Sequence, residues 1–234
     1  MRAMIMDADS HLGMALADNF SEVGHEVLLH TRTANQSELA IPGSELVVAQ
    51  DPVEKLEDWF ATRATPDCIV FNLQLKDELS LLNNDGSIEE LISQLSDDLP
   101  RFLRELQAFS LLLARAGRGI IWVVIQEDSA GYYVPIPVSS IASKARIAAI
   151  KSVAKEVARL GVKINAISIQ AYSEQLPMSE WKDARDGLKA FALKFKPIAV
   201  NDIATTICTL SEVPNLPIAG MVLPIGIGMA EFNI

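Results

Sequence analysis

Cysteine and histidine are scarce in this chain: two cysteines, Cys68 and Cys208, and three histidines in 234 residues. That excludes a disulfide framework and a cysteine-rich zinc site. Basic residues are also in short supply, 20 against 30 acidic ones for a net charge of -10. Nucleic acid and anionic membrane both need a basic face, so neither is expected as a main partner. No apolar run approaches the roughly 20 residues that span a bilayer. The opening MRAMIMDADS is interrupted by Asp7 and Asp9, so no signal peptide is expected and the protein reads as cytoplasmic. Linkers rich in Pro, Gly or Ser are missing, as are internal repeats. What the chain does have is apolar residues, 50% of the total with a mean hydropathy of +0.23. That content excludes disorder and implies a large core or a buried oligomer surface.

Short apolar runs alternate with segments of helical period. Strands are predicted at Ala3–Met6, Glu26–His30, Leu46–Ala49, Asp67–Asn72, Gly119–Gln126, Lys163–Ser168 and Met221–Pro224. They are rich in Val and Ile and nearly continuous in apolar character, as expected of parallel strands covered on both faces. Helices are predicted at Leu12–Val23, Ile88–Leu95, Pro100–Ala116, Ser139–Leu160 and Asp202–Leu210, with an interruption near Pro100. The alternation implies right-handed βαβ units and a Rossmann-type, doubly wound parallel sheet in a single α/β domain over residues 1–234. Residues 171–196 break the pattern and read as a lid-like helical excursion beside the carboxyl ends of the strands, where ligands of such sheets bind.

The turn after the first strand, Asp7-Ala8-Asp9-Ser10-His11-Leu12-Gly13, is followed by A-x-A-x-x-F-x-x-x-G-H-E-V. Farther on come Asp67-Cys-Ile-Val-Phe-Asn-Leu-Gln74, Ser140-Ile-Ala-Ser-Lys144-Ala, Gly161-Val-Lys-Ile-Asn-Ala-Ile167, Asn201-Asp-Ile-Ala204 and Ile218-Ala-Gly-Met-Val-Leu223. In order and spacing these resemble the motifs of the short-chain dehydrogenase/reductase family. The resemblance spans essentially the whole chain and implies that family's fold.

It also implies a set of site positions, most of them altered. The family's glycine-rich turn would place Asp7 and His11 at glycines and Gly13 at the last one. The family's general-acid Tyr position holds Ser140, and the Lys four residues on is Lys144. A Ser hydroxyl has no aromatic ring to stabilise its anion, so one lysine cannot make it an acid near neutral pH. The carbonyl-polarising Ser position, thirteen residues earlier, holds Glu127, whose charge opposes a developing alkoxide. Ser129, Tyr132 and Tyr133 lie close enough in sequence to stand as substitutes. On the cofactor side, Asp7 and His11 put side chains where backbone would meet a pyrophosphate. Arg32, Asp51 and Asn72 follow strands two, three and four as cofactor contacts would. Arg32 suits a 2′-phosphate, and no acid selects NAD. No cofactor is therefore expected, with NAD(P), and NADP above NAD, as the alternative. No second ligand lies at helical spacing from His11, so no metal is expected.

The helices 100–116 and 139–160 are apolar over more than one face, which marks them as interface helices. In the resembled family the corresponding helices pair subunits. The partner expected is thus a homologous subunit or a second copy of the chain. Three functions compete. One is a catalytically degenerate subunit of an active dehydrogenase, as in heteromeric hydroxyacyl-CoA enzymes such as 2-(hydroxybenzyl)succinyl-CoA dehydrogenase. The second is an active NADP-dependent reductase with a rearranged site, and the third a homo-oligomeric ligand sensor.

Overall fold

The computed structural model describes residues 1–32, 41–72, 88–127, 136, 140–188, 197–213 and 215–226. Seven strands form one sheet: β1 (Arg2–Met6), β2 (Glu26–Thr31), β3 (Ser44–Val48), β4 (Cys68–Asn72), β5 (Gly119–Gln126), β6 (Val162–Ile169) and β7 (Val222–Ile225). Their order is β3-β2-β1-β4-β5-β6-β7 and every pairing is parallel. The direction of winding reverses between β1 and β4, which makes the crevice above those two strands the switch point. Strand alternation divides the core. Ala3, Ile5, Val27, Leu29, Val70, Trp122 and Ile167 face one side, where α1 (His11–Glu22) and α6 (Val200–Glu212) cover them. Met4, Met6, Leu28, Ile69, Phe71, Ile121, Val123 and Ile164 face the other. There α2 (Leu56–Phe60), α3 (Ile88–Ala116) and α4 (Ser140–Val157) pack.

α3 anchors on this second face through Phe102, Leu106, Phe109 and Leu113, all at most 2% exposed. The Phe71 ring stands edge-on to both Phe102 and Phe109, with centroids 6.2 and 5.6 Å away. Burial of each such side chain stabilises by about 2 kcal/mol. The expected break at Pro100 does not occur: α3 runs unbroken for 29 residues with Pro100 inside. Proline removes one hydrogen bond, to the carbonyl four residues back. Pro100 and Ser96 are both exposed, and the buried face further along α3 holds the two halves in line. α4 ends earlier than expected, passing into a 3-10 turn at Ala158–Leu160 that Gly161 closes at φ 78°. A Cβ at Gly161 would fall 2.3 Å from the Gly117 carbonyl oxygen, so only glycine fits there. The short α2, unmarked by sequence period, is held by Trp59, which is 8% exposed against the core.

Both cysteines are core residues. The Cys68 thiol donates to Ser211 Oγ at 3.5 Å, and burial pushes it up to about 12; burial takes Cys208 to about 11. Neither is a nucleophile near neutral pH. Within the excursion, residues 173–175 form a 3-10 turn and α5 spans Met178–Leu188. Trp181, 4% exposed, donates from Nε1 to the Ser173 carbonyl at 2.9 Å. Glu174 Oε2 accepts from Val200 N at 3.0 Å and so caps α6, favourably placed against the helix dipole. Residues 189–196 of the expected excursion lie outside the described residues. Among the described residues no helix is long and apolar enough to cross a membrane.

Candidate functional site: the crevice over the strand ends

The chain leaves β1 at Met6 and turns sharply. Asp7 adopts φ 51°, the left-handed region that glycine enters freely and an aspartate enters at a cost of about 1 kcal/mol. Ser10 caps α1: its Oγ accepts from Gly13 N at 3.0 Å. His11 is the first helical residue and is exposed. Asn72, at the end of β4, donates from Nδ2 to the Asp7 carbonyl at 3.1 Å and to Ser10 Oγ at 2.6 Å. Asn72 thus fastens the turn across the switch point. Gly13 lets α1 approach the turn, because a Cβ there would lie 2.7 Å from both Cα and O of Ala8.

The Asp7 side chain is largely withdrawn from solvent; the residue is 7% exposed. Its Oδ1 lies 2.8 Å from Arg32 Nε, and its Oδ2 accepts from Arg32 Nη2 at 3.1 Å. The same Nη2 donates to Glu105 Oε2 at 3.2 Å and lies 3.0 Å from Oε1, which has no aligned donor. Arg32 Nη1 donates to the Gln50 carbonyl at 3.0 Å. One guanidinium therefore bridges two buried carboxylates, from the ends of β1 and β2 to α3. Burial raises the Glu105 carboxyl above its ordinary range, and the nearby Arg32 only partly opposes this. His30, fully buried beneath the cluster, is held below its ordinary value by desolvation. Its Nδ1 accepts from Asp7 N at 3.4 Å and its Nε2 lies 2.9 Å from the Ala49 carbonyl, which fixes the neutral Nε2–H tautomer. Asp51 turns to its own loop, accepting from Val53 N at 2.9 Å.

Over β5 and β6 the crevice is lined by carboxamides. Gln126 donates from Nε2 to the Ile169 carbonyl at 2.9 Å, and its Oε1 accepts from Gln175 Nε2 at 2.7 Å. Gln175 Oε1 in turn accepts from Tyr172 N at 2.9 Å. Gln170 donates to Glu127 Oε2 at 3.3 Å and lies where a Cβ on Gly226 would be, 2.1 Å from its Oε1. Gln126, Glu127 and Gln170 are at most 6% exposed. Ser143 Oγ reaches the Gln126 carbonyl at 3.5 Å, tying α4 to the same network.

The structure thus gathers Asp7, Gly13, Arg32 and Asn72 at the switch point and sets Glu127 on the β5–β6 side. Ser140 opens α4, and Lys144, one turn on, is exposed. Ser129, Tyr132 and Tyr133 lie outside the described residues. Sequence reasoning did not identify Glu105, Gln126 or Gln175. Glu105 carries a signal of its own, a lone carboxylate among Phe102, Leu106 and Phe109 on the apolar face of α3, where an unpaired charge is too costly to persist. Among the described residues no group of His, Cys, Asp and Glu could hold a metal ion.

No family model and no curated protein sequence matches the chain. Solved structures do match it. A gluconate 5-dehydrogenase from Burkholderia cenocepacia J2315, in complex with NADP and tartrate, is similar over 97% of this chain and 94% of its own. The TM-score is 0.80 at 17% sequence identity. With the strand order and the motif spacing already described, this chain has the fold of the short-chain dehydrogenases, from the first strand to the last, as a single domain.

Proposed function

We propose that the chain is a short-chain dehydrogenase homologue that holds no dinucleotide of its own and serves as the non-catalytic subunit of an active dehydrogenase. The observation that carries this reading is the Asp7–Arg32–Glu105 cluster. Asp7 keeps the left-handed backbone that a glycine would have, but adds a carboxylate to the turn that a pyrophosphate would approach. The cation that suits a 2′-phosphate is turned into the protein to neutralise that carboxylate and Glu105. On the β5–β6 side, Gln170 and Glu127 fill the space beside Gly226. These residues do not fit NAD(P) bound as the fold family binds it. Nor do Ser140, Lys144 and Glu127 make an acid and a carbonyl-polarising donor.

The partner reading rests on the outer surface of α3 and α4, where Leu103, Leu111 and Ile141 are 42, 48 and 47% exposed. These helices would join the chain to a homologous subunit, with a second copy of itself as the competing partner. The NADP in the gluconate 5-dehydrogenase favours a different reading, an active NADP-dependent reductase in which Arg32 swings out to a phosphate. Thermal unfolding separates the two. A site of micromolar affinity would gain about 4 kcal/mol from ligand at a thousandfold excess, a rise of about 10 °C for a chain of this size. We expect NADPH, NADP, NADH and NAD each to leave the midpoint unchanged, whereas a rise of that order with any of them removes the proposal.

A further inference from the structure

Charge is segregated along this chain. Residues 99–118 and 140–163, the later part of α3 and the whole of α4 with what directly follows each, hold ten of the twenty Lys and Arg but two of the thirty acids. They carry +8, and the remainder of the chain carries -18. One of the two acids, Glu105, is buried against Arg32; the other is Glu156.

α3 and α4 pack side by side on one face of the sheet. α4 buries Arg146, Ile150, Ala154 and Val157. Its exposed row is Ile141, Lys144, Ala148, Lys151 and Lys155, at intervals of three and four. On α3 the exposed row is Arg104, Leu111 and Arg115, one and two turns apart. Leu111 and Ile141, 48 and 47% exposed, therefore stand in the same rows as the cations. Among the described residues Arg115, Lys151, Lys155 and Arg159 enter no ion pair, and Arg104 has only a long one, 3.8 Å to Asp51.

Exposed apolar side chains grouped in this way mark a surface that meets another molecule, and the charge selects which. A two-fold pair of identical chains lays one patch upon itself, so it must be self-complementary. A face of single-signed charge is not. Nucleic acid or an anionic bilayer extends past the patch and meets the -18 carried elsewhere. A folded partner touches this face alone, and can set apolar residues against Leu111 and Ile141 and carboxylates against the cations.

We infer that the outward faces of α3 and α4 dock a different folded protein with an apolar, acidic contact surface, and that they reject a second copy of this chain. The inference rests on the subunit reading and supplies the chemistry by which the partner is chosen. The probe is the full chain with its row reversed, Lys144→Glu, Lys151→Glu and Lys155→Glu, which keeps every apolar residue of the face. Its thermal midpoint, expected within about 5 °C of the wild type, checks that it folds. In sedimentation at about 0.05 M salt, wild type and reversed chain should each be monomeric, and their equimolar mixture should form a mixed dimer. Raising salt to about 0.5 M should weaken that dimer about tenfold. Glutamine at the same three positions removes the repulsion without adding attraction, so that variant should self-associate more strongly than the wild type, whether or not the reversed chain folds. A wild-type homodimer that glutamine does not strengthen, or a mixture of folded chains that stays monomeric, overturns the inference. So does wild-type binding to a DNA duplex or to phosphatidylserine vesicles that the reversed chain loses. A cofactor-induced thermal shift would strike at the subunit reading alone and leave the pairing result standing on its own.

Discussion

Replacing Arg32 with methionine should lower stability by about 3–5 kcal/mol at neutral pH, more than any other single change in the crevice. Methionine approximates the length of the arginine stem but leaves Asp7 and Glu105, 7 and 2% exposed, as two buried carboxylates without a counter-ion. Breaking a buried pair by removing one partner costs that much because the survivor stays desolvated. For a chain of this length the thermal midpoint should fall by about 10 °C. The loss should depend on pH in a defined direction. Glu105 has a raised carboxyl value in the fold, chiefly from burial. The folded state therefore binds its proton more tightly than the unfolded chain does. Stability from this group is fully present below the ordinary glutamate value and is lost as pH rises through the folded one. Arg32 is what limits that loss. Without it the folded value climbs further, so the deficit relative to the wild type should narrow as pH falls from 7 toward about 5. Urea unfolding at several pH values reads this directly. A variant as stable as the wild type at pH 7 would mean that the cluster is not a structural clamp.

Gly13→Ala should cost about 2–3 kcal/mol with no nucleotide present. The added Cβ would sit 2.7 Å from Cα and O, and 2.8 Å from C, of Ala8. All three are backbone atoms of a turn pinned by Asn72 and Ser10, so α1 itself must move. That motion would also disturb the contact of α1 with α6, where Thr205 Oγ1 donates to Asn19 Oδ1 at 2.6 Å. The prediction bears on why a glycine stands at this position in a chain with altered neighbours. In a dinucleotide site, one glycine lets backbone approach the pyrophosphate and another lets the helix pack on the strand. Gly13 does the second job, which remains necessary without any ligand. Chemical denaturation of the variant, with and without NADPH, distinguishes the roles. A variant of wild-type stability would show that packing does not require the glycine.

The layers of the fold were legible because burial on both faces leaves parallel strands almost wholly apolar, and β5 lies where its run of Ile, Trp and Val ends. Pro100 misled because local propensity counts a lost hydrogen bond, while the helix is held by a face buried further along it. In the crevice, Asp7, Gly13 and Asn72 could be placed by motif spacing, since a turn of fixed length puts fixed positions over the switch point. The fate of Arg32 could not be read. An arginine after β2 looks like a phosphate ligand until a carboxylate 73 positions away is brought to its Nη2. Gln126 and Gln175 were silent for a related reason: neutral amides carry no period and no charge pattern, and only the pairing of β5 with β6 and the bond between the two side chains show that they belong to one network. The charge of -10 also acquires a local meaning. At the switch point the carboxylate of Asp7 is largely withdrawn from solvent and bound up with Arg32.

The most direct measurement is a crystal structure of the chain grown in saturating NADPH. The expected result is no dinucleotide over Gly13, with Arg32 still held between Asp7 and Glu105 and Gln170 still against Gly226. An ordered dinucleotide lying across the turn, with Arg32 released to its phosphate, would contradict the proposed function and restore the chain to the cofactor-dependent dehydrogenases.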